Sequence, residues 1–244
     1  MIRWWFPPRG AWASLRATIG ILSDSRAISR ARFLRAAERV GVIRQLRTPM
    51  TAEELAHVLG VTDTGLLNDL LDVGVAVGEL RSRQGRYFIR GSRIRALASG
   101  GGEALRAFTG ELADYRGDVY RDLPALLSGR ERGRYLDEYD ELIARSSLLV
   151  EPFIARFVRR VVTERPTRSL LEIGCGTGVY VRHAAAACPQ LRAVGIDMSE
   201  RVRALAAANF AAWGLADRCT ALHADIRRPD TAILDGPFDV VTLH

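Results

Sequence analysis

Apolar positions change their spacing along the chain, and each spacing predicts a different element. Phe33, Leu34, Ala37, Val40, Ile43 and Leu46 recur at three- and four-residue steps, which predicts a helix with one buried face. Thr51-Ala52-Glu53-Glu54 is a capping-box pattern opening a second helix with Leu55, Val58 and Leu59. Thr62 or Asp63 can cap a third, whose Leu66, Leu67, Leu70 and Leu71 are expected to turn inward. Leu80 to Ile89, turning at Gln84-Gly85, has the pattern of a two-stranded hairpin. Ser99-Gly100-Gly101-Gly102 marks a joint. Helical spacing then resumes, with Tyr135, Tyr139, Leu142 and Ser146 on one face and Pro152 starting a helix with Phe153, Phe157 and Val161. Beyond residue 166 the apolar runs become short and continuous, as in buried parallel strands: Ser169–Ile173, Ala193–Asp197, Ala221–Ile226 and Phe238–Leu243. Helix-prone stretches separate the first three, Val179–Ala187 and then Val202, Leu205, Ala206, Phe210 and Trp213 behind a Ser199 cap, with Asn209 as a polar departure.

This pattern divides the chain into an aromatic, arginine-rich segment (1–29), a unit of three helices and a hairpin (30–98), a helical connector (103–165) and a βαβαβ region (166–244). The fold class is α/β, with a mainly helical amino-terminal domain. Three helices followed by a hairpin form a winged helix, which raises DNA binding as a function. The third helix argues against it: from Thr62 to Val73 it carries Asp63, Asp69 and Asp72 and no basic residue, so it would repel phosphates.

Charge adds little to that picture. The formal net charge is +7 and all 35 basic residues are arginine, with 16 arginines against 8 acids in residues 1–100 and near balance elsewhere. Any polyanion contact would therefore lie in the first hundred residues. Arg81, Arg83, Arg86, Arg90, Arg93 and Arg95 around the hairpin read as a solvated or interface face. Trp4, Trp5, Phe6 and Trp12 suit a membrane boundary or packing within a protein. Pro7-Pro8 and Arg16 break the stretch, so it is not a membrane span, and only peripheral membrane contact is open to it. Cys175, Cys188 and Cys219 have no metal-ligand spacing and suit a reducing cytoplasm.

The candidate chemistry sits between the first strand and its helix. Glu172-Ile173-Gly174-Cys175-Gly176-Thr177-Gly178 is acidic-x-G-x-G-x-G. It lacks the third glycine of a dinucleotide fingerprint, where Val179 stands, and the Gly-Lys-Ser/Thr of a P-loop. Asp197, ending the second strand, is placed to accept two hydrogen bonds from a ribose diol. Cys175 is read either as a reactive thiol or, preferably, as a small residue filling a tight turn.

With Asp197, Asp225 and the Pro237–Leu243 run in the same order, this motif resembles the class I S-adenosylmethionine-dependent methyltransferases, with a Rossmann-like sheet. Residues 30–98 resemble the winged-helix dimerisation domain of small-molecule O-methyltransferases. The resemblance implies S-adenosylmethionine as cofactor, a small-molecule methyl acceptor and a homodimer, without nucleic acid or metal. It assigns Glu172 to the methionine amino group; Gly174, Cys175, Gly176 and Gly178 to the cofactor loop; Asp197 and Met198 to ribose and adenine; and Asp225 and Ile226 to the adenine edge and face. No catalytic residue is assigned; His244 stands where a base is often found. The family's sheet has about seven strands, so the chain is expected to be a partial methyltransferase. The alternatives are a non-catalytic cofactor-binding or regulatory module and a half-enzyme completed by a partner.

Overall fold

The computed structural model describes residues 9–131, 135–227 and 237–243, with side chains from residue 13 onward. The chain falls into two compact units, Met1–Gly102 and Glu103–His244. Trp4, Trp5, Phe6, the side chain of Trp12, and His244 lie outside the described residues.

In the first unit a single 32-residue helix, α1 (Arg9–Val40), absorbs most of the aromatic segment and the first predicted helix. Its early turns expose Leu15, Ile19 and Leu22, and burial begins at Phe33 and Leu34. The helix expected to continue to Leu46 instead breaks at Gly41, whose φ of 92° is left-handed, and α2 (Val42–Gln45) follows. A side chain at Gly41 would press on Leu59, so glycine suits both the reversal and the packing.

The capping box forms at α3 (Ala52–Leu59): Thr51 Oγ1 accepts from the Glu54 N–H, and the Glu54 carboxylate accepts in return from the Thr51 N–H. Asp63 caps α4 (Thr64–Ala76) by accepting from the Leu66 N–H at 2.8 Å. Leu66 itself is exposed, contrary to expectation, because the buried stripe of α4 runs Leu67, Leu71, Gly74. Strands β1 (Leu80–Arg83) and β2 (Arg86–Ile89) pair antiparallel through Gln84 and Gly85, both at positive φ, as a tight right-twisted hairpin requires. Glu79, buried just before β1, accepts from the Ile94 N–H of α5 (Ser92–Ala98) and lies 3.5 Å from both Arg30 and Arg93.

The second unit opens with α6 (Glu103–Gly110), a π-helical turn at Glu111–Tyr115, α7 (Arg116–Leu127), α8 (Tyr135–Ser146) and α9 (Glu151–Thr163). The sheet then alternates with helices: β3 (Ser169–Ile173), α10 (Val179–Ala187), β4 (Arg192–Asp197), α11 (Glu200–Ala212), β5 (Cys219–His223) and β6 (Val240–Leu243). All four strands are parallel, in the order β5-β4-β3-β6, so the chain order reverses between β4 and β6, at β3. Ligands in open α/β sheets bind at such a switch point, beyond the strands' carboxyl ends. Val181, Ala184, Leu191, Ala206 and Phe210 are buried in the core over this sheet.

One predicted face is rotated. On α9 the buried residues are Ala155, Val158 and Val162, whereas Phe153 and Phe157 are 78% and 62% exposed. Helices α9 and α10 pack together, and Val158 and Val162 join Ala184 and Ala185 in one buried core, which leaves Phe153 and Phe157 outside it.

Candidate cofactor-binding site

A cavity of about 710 Å³ opens at the carboxyl ends of β3 and β4. Its floor is the loop that leaves β3, where Gly174, Gly176 and Gly178 have φ of 74°, 54° and 76°. Three left-handed residues in five turn the chain sharply into α10, which explains the alternating glycines without reference to a ligand. The three then differ. Gly174 and Gly176 line the cavity, and a Cβ on Gly176 would approach nothing closer than Ala144, at 3.9 Å. Gly178 does not line it, and a Cβ there would stand 2.5 Å from the Phe210 ring, so this glycine serves the packing of α11.

Asp197 closes the other side of the loop. Its carboxylate accepts from the Gly176 N–H at 3.1 Å and the Ser199 N–H at 2.9 Å, which ties the end of β4 to the turn after β3. Met198, Asp225 and Ile226 complete that wall, the latter two lying just past β5 rather than within it. Arg227 engages both Asp225 oxygens, at 2.8 and 2.9 Å.

Glu172 sits apart from these. It is 1% exposed within β3 and does not line the cavity. Burial, with Asp197 nearby, pushes its carboxyl up to about 8, against the pull of the Val181 N–H. Cys175 lines the cavity but is 3% exposed and packs under Gly195. Burial raises its thiol well above the ordinary range, which removes the thiolate a reactive cysteine needs and favours the turn-filling reading.

The roof comes from α8 and the residues after it. Leu136, Asp137, Asp140, Ile143, Ala144 and Ser147 line the cavity. Tyr135 and Tyr139 turn away, their hydroxyls donating to Asp122 and Asp118. The lining face thus lies one residue along from the aromatic stripe, and the signal for it was the 137-140-144-147 repeat. Asp140 accepts from the Ser199 hydroxyl and from Arg201 Nε at 3.1 Å, fastening α8 to the start of α11.

Thr177 is a second residue that the spacing of glycines did not single out. Its hydroxyl is buried against the cavity and has no hydrogen-bond partner among the described residues. Asn209, the polar departure on α11, donates to the Thr177 carbonyl at 2.9 Å and so braces the loop from behind.

These features fit S-adenosylmethionine. Aspartates 137, 140, 197 and 225 line the cavity with Arg227 as the single cationic side chain among its lining residues, a balance suited to a ligand carrying sulfonium and ammonium charges. Ile173, Ile196, Met198 and Ile226 offer apolar surface for a flat ring, and the orphan Thr177 hydroxyl awaits a polar partner. Among the described residues no group of three or more His, Cys, Asp or Glu is placed to hold a metal, and no helix is long and apolar enough to cross a membrane.

Comparisons with known proteins agree with this geometry. The family described as a methyltransferase domain matches residues 170–244. The rRNA N(6)-adenosine-methyltransferase metl-5 of Caenorhabditis elegans is 30% identical over 77 residues, 32% of this chain and 36% of that protein, so the chain spans little more than a third of that relative's length. Among solved structures, the mitomycin 7-O-methyltransferase MmcR superposes with a TM-score of 0.72 at 20% identity, covering 96% of this chain and 71% of the other. PigF with SAH gives 0.71 at 19%, over 95% and 70%. Human N-acetylserotonin methyltransferase in complex with SAM gives 0.66 at 15%, over 93% and 70%. Residues 170–244 therefore match the methyltransferase-domain family, and the chain has the fold of the class I S-adenosylmethionine-dependent methyltransferases.

Proposed function

We propose that this chain is the cofactor-binding part of an S-adenosylmethionine-dependent methyltransferase acting on a small molecule. The observation that carries this reading is the cavity at the switch point, where Gly174, Gly176, Asp197, Met198, Asp225 and Ile226 converge. S-adenosylmethionine supplies a methyl group already activated on a sulfonium, so the protein's work is to hold, align and exclude water. Gly174 and Gly176 leave room for close backbone approach, and Asp197 offers acceptors to the ribose hydroxyls. Met198 and Ile226 flank the adenine, and Asp225 faces its edge. Glu172 lies behind the loop and reaches the methionine amino group through water or a small shift of that loop. The small-molecule acceptor is supported by the likeness to O-methyltransferase folds and by the α8 roof.

The remaining assignments follow the same reading. Residues 30–98 form a winged-helix domain that pairs two copies of the chain, residues 103–165 form the connector, and nucleic acid is disfavoured by Asp63, Asp69 and Asp72 on or beside α4. A reducing cytoplasmic location is supported by three free cysteines. Among the described residues β6 pairs on one side only, with β3, and exposes Val241 (56%) and Leu243 (73%), a side that a further parallel strand would fit.

Titration calorimetry with S-adenosylmethionine tests the cofactor-binding reading. Gly176→Arg fills the open space above the loop and should abolish binding while leaving the circular dichroism unchanged. Asp197→Ala should weaken it by about tenfold or more, the worth of a charge-assisted hydrogen bond. Unaltered affinity in both variants would overturn the assignment.

A further inference from the structure

We propose that the hairpin of the first unit holds a compact phosphate-bearing anion, such as a phosphate monoester or a diphosphate, between Arg81, Arg90 and Arg95. These three side chains and Ile89 line a pocket of about 330 Å³ that is separate from the cofactor cavity. No acidic residue is among its lining. Two of the three guanidinium groups are held by neutral partners. Arg95 donates from Nε to the Gly91 carbonyl at 3.2 Å and from Nη2 to the Arg90 carbonyl at 2.7 Å. The Arg81 guanidinium lies over the Phe88 ring, 4.9 Å from its centroid, across the hairpin pairing of Arg81 with Phe88.

Neighbouring arginines of the same hairpin region are treated differently. Arg86 is paired with Glu54 at 2.7 Å, and Arg93 lies 3.5 Å from Glu79. Among the described residues Arg81, Arg90 and Arg95 have no carboxylate partner. Three like charges around one concavity repel one another unless an anion joins them. Guanidinium forks match phosphate oxygens in shape, and fixing them beforehand lowers the entropy lost on binding.

The size of the pocket selects a small ligand. A duplex is disfavoured by the acidic helix α4 of the same unit, which carries Asp69 and Asp72, with Asp63 at its cap. A phosphate monoester or diphosphate needs only the pocket. The site is independent of the proposed methyl transfer.

Titration calorimetry of the full chain with inorganic pyrophosphate, at low and moderate salt, tests this. One pyrophosphate should bind per chain, and Arg95→Gln and Arg81→Gln should each weaken binding by about tenfold or more, the worth of a charged hydrogen bond. Arg90→Gln supplies a third variant should either of the others fail to fold, as judged by circular dichroism. Arg16→Gln, on exposed α1 and outside the lining of the pocket, should leave the affinity within about twofold. No binding at millimolar pyrophosphate, or the same loss in Arg16→Gln as in Arg95→Gln, would overturn the site. So would a short DNA duplex that binds more tightly than pyrophosphate and loses affinity in the same pocket variants, since that outcome assigns the arginines to nucleic acid.

Discussion

Replacing Glu172 with glutamine should change how stability depends on pH, in a direction that the buried position fixes. In the folded chain the carboxyl is raised from the ordinary value of 4.5 to about 8, chiefly by loss of water. Between those values the folded state keeps a proton that the unfolded chain releases. The contribution of this group to stability is therefore fullest below pH 4.5, falls as pH rises through the window, and levels off above pH 8. At about 1.4 kcal/mol for each tenfold change, the loss is roughly 3 kcal/mol by pH 7 and roughly 5 kcal/mol above pH 8. These are upper bounds, because relaxation around the carboxylate lessens the cost of charging it. A glutamine amide in this place has no proton to lose, and its carbonyl can still accept the Val181 N–H. Urea denaturation of both proteins at pH 5, 6, 7, 8 and 9 isolates the effect, since titrating groups that do not interact with Glu172 cancel in the difference. The Glu172→Gln variant should match the parent near pH 5 and exceed it progressively to pH 8. Parallel curves from pH 5 to 8 would refute the reasoning.

Gly178→Ala combines a left-handed backbone with a Cβ 2.5 Å from Phe210 and should destabilise the chain by roughly 2–4 kcal/mol, read by thermal or urea unfolding. Adding Phe210→Leu should recover part of the loss if the ring is the obstacle. Asn209→Ala should cost roughly 1–2 kcal/mol, because it strips the Thr177 carbonyl of its brace; a measured change under a few tenths would contradict that role. Native protein treated with iodoacetamide at pH 8 should be alkylated at the half-buried Cys188 well before Cys175 or Cys219, whose thiols burial keeps protonated; mass spectrometry reads the order.

Local chemistry made several elements legible in advance. Thr51 and Glu54 carry both halves of a capping box within four residues, and Gln84-Gly85 supplies the two left-handed positions of the hairpin. The glycine loop and Asp197 were readable for the same reason, since backbone angles and strand ends depend on near neighbours in sequence. Other outcomes depended on which element packs against which. Periodicity showed that α4 and α9 have an apolar face but not where it is centred; the close packing of Gly74 on Phe33, and the burial of Val158 and Val162 in the core, left Leu66, Phe153 and Phe157 outside. The alternating glycines looked equivalent in sequence, yet Phe210, thirty-two residues later, claims the space at Gly178. Likewise Asp140 and Thr177 entered the site only when α8 closed over the loop. Spacing along a chain fixes φ, ψ and phase; burial, and with it the carboxyl of Glu172, is settled by residues that only the fold brings together.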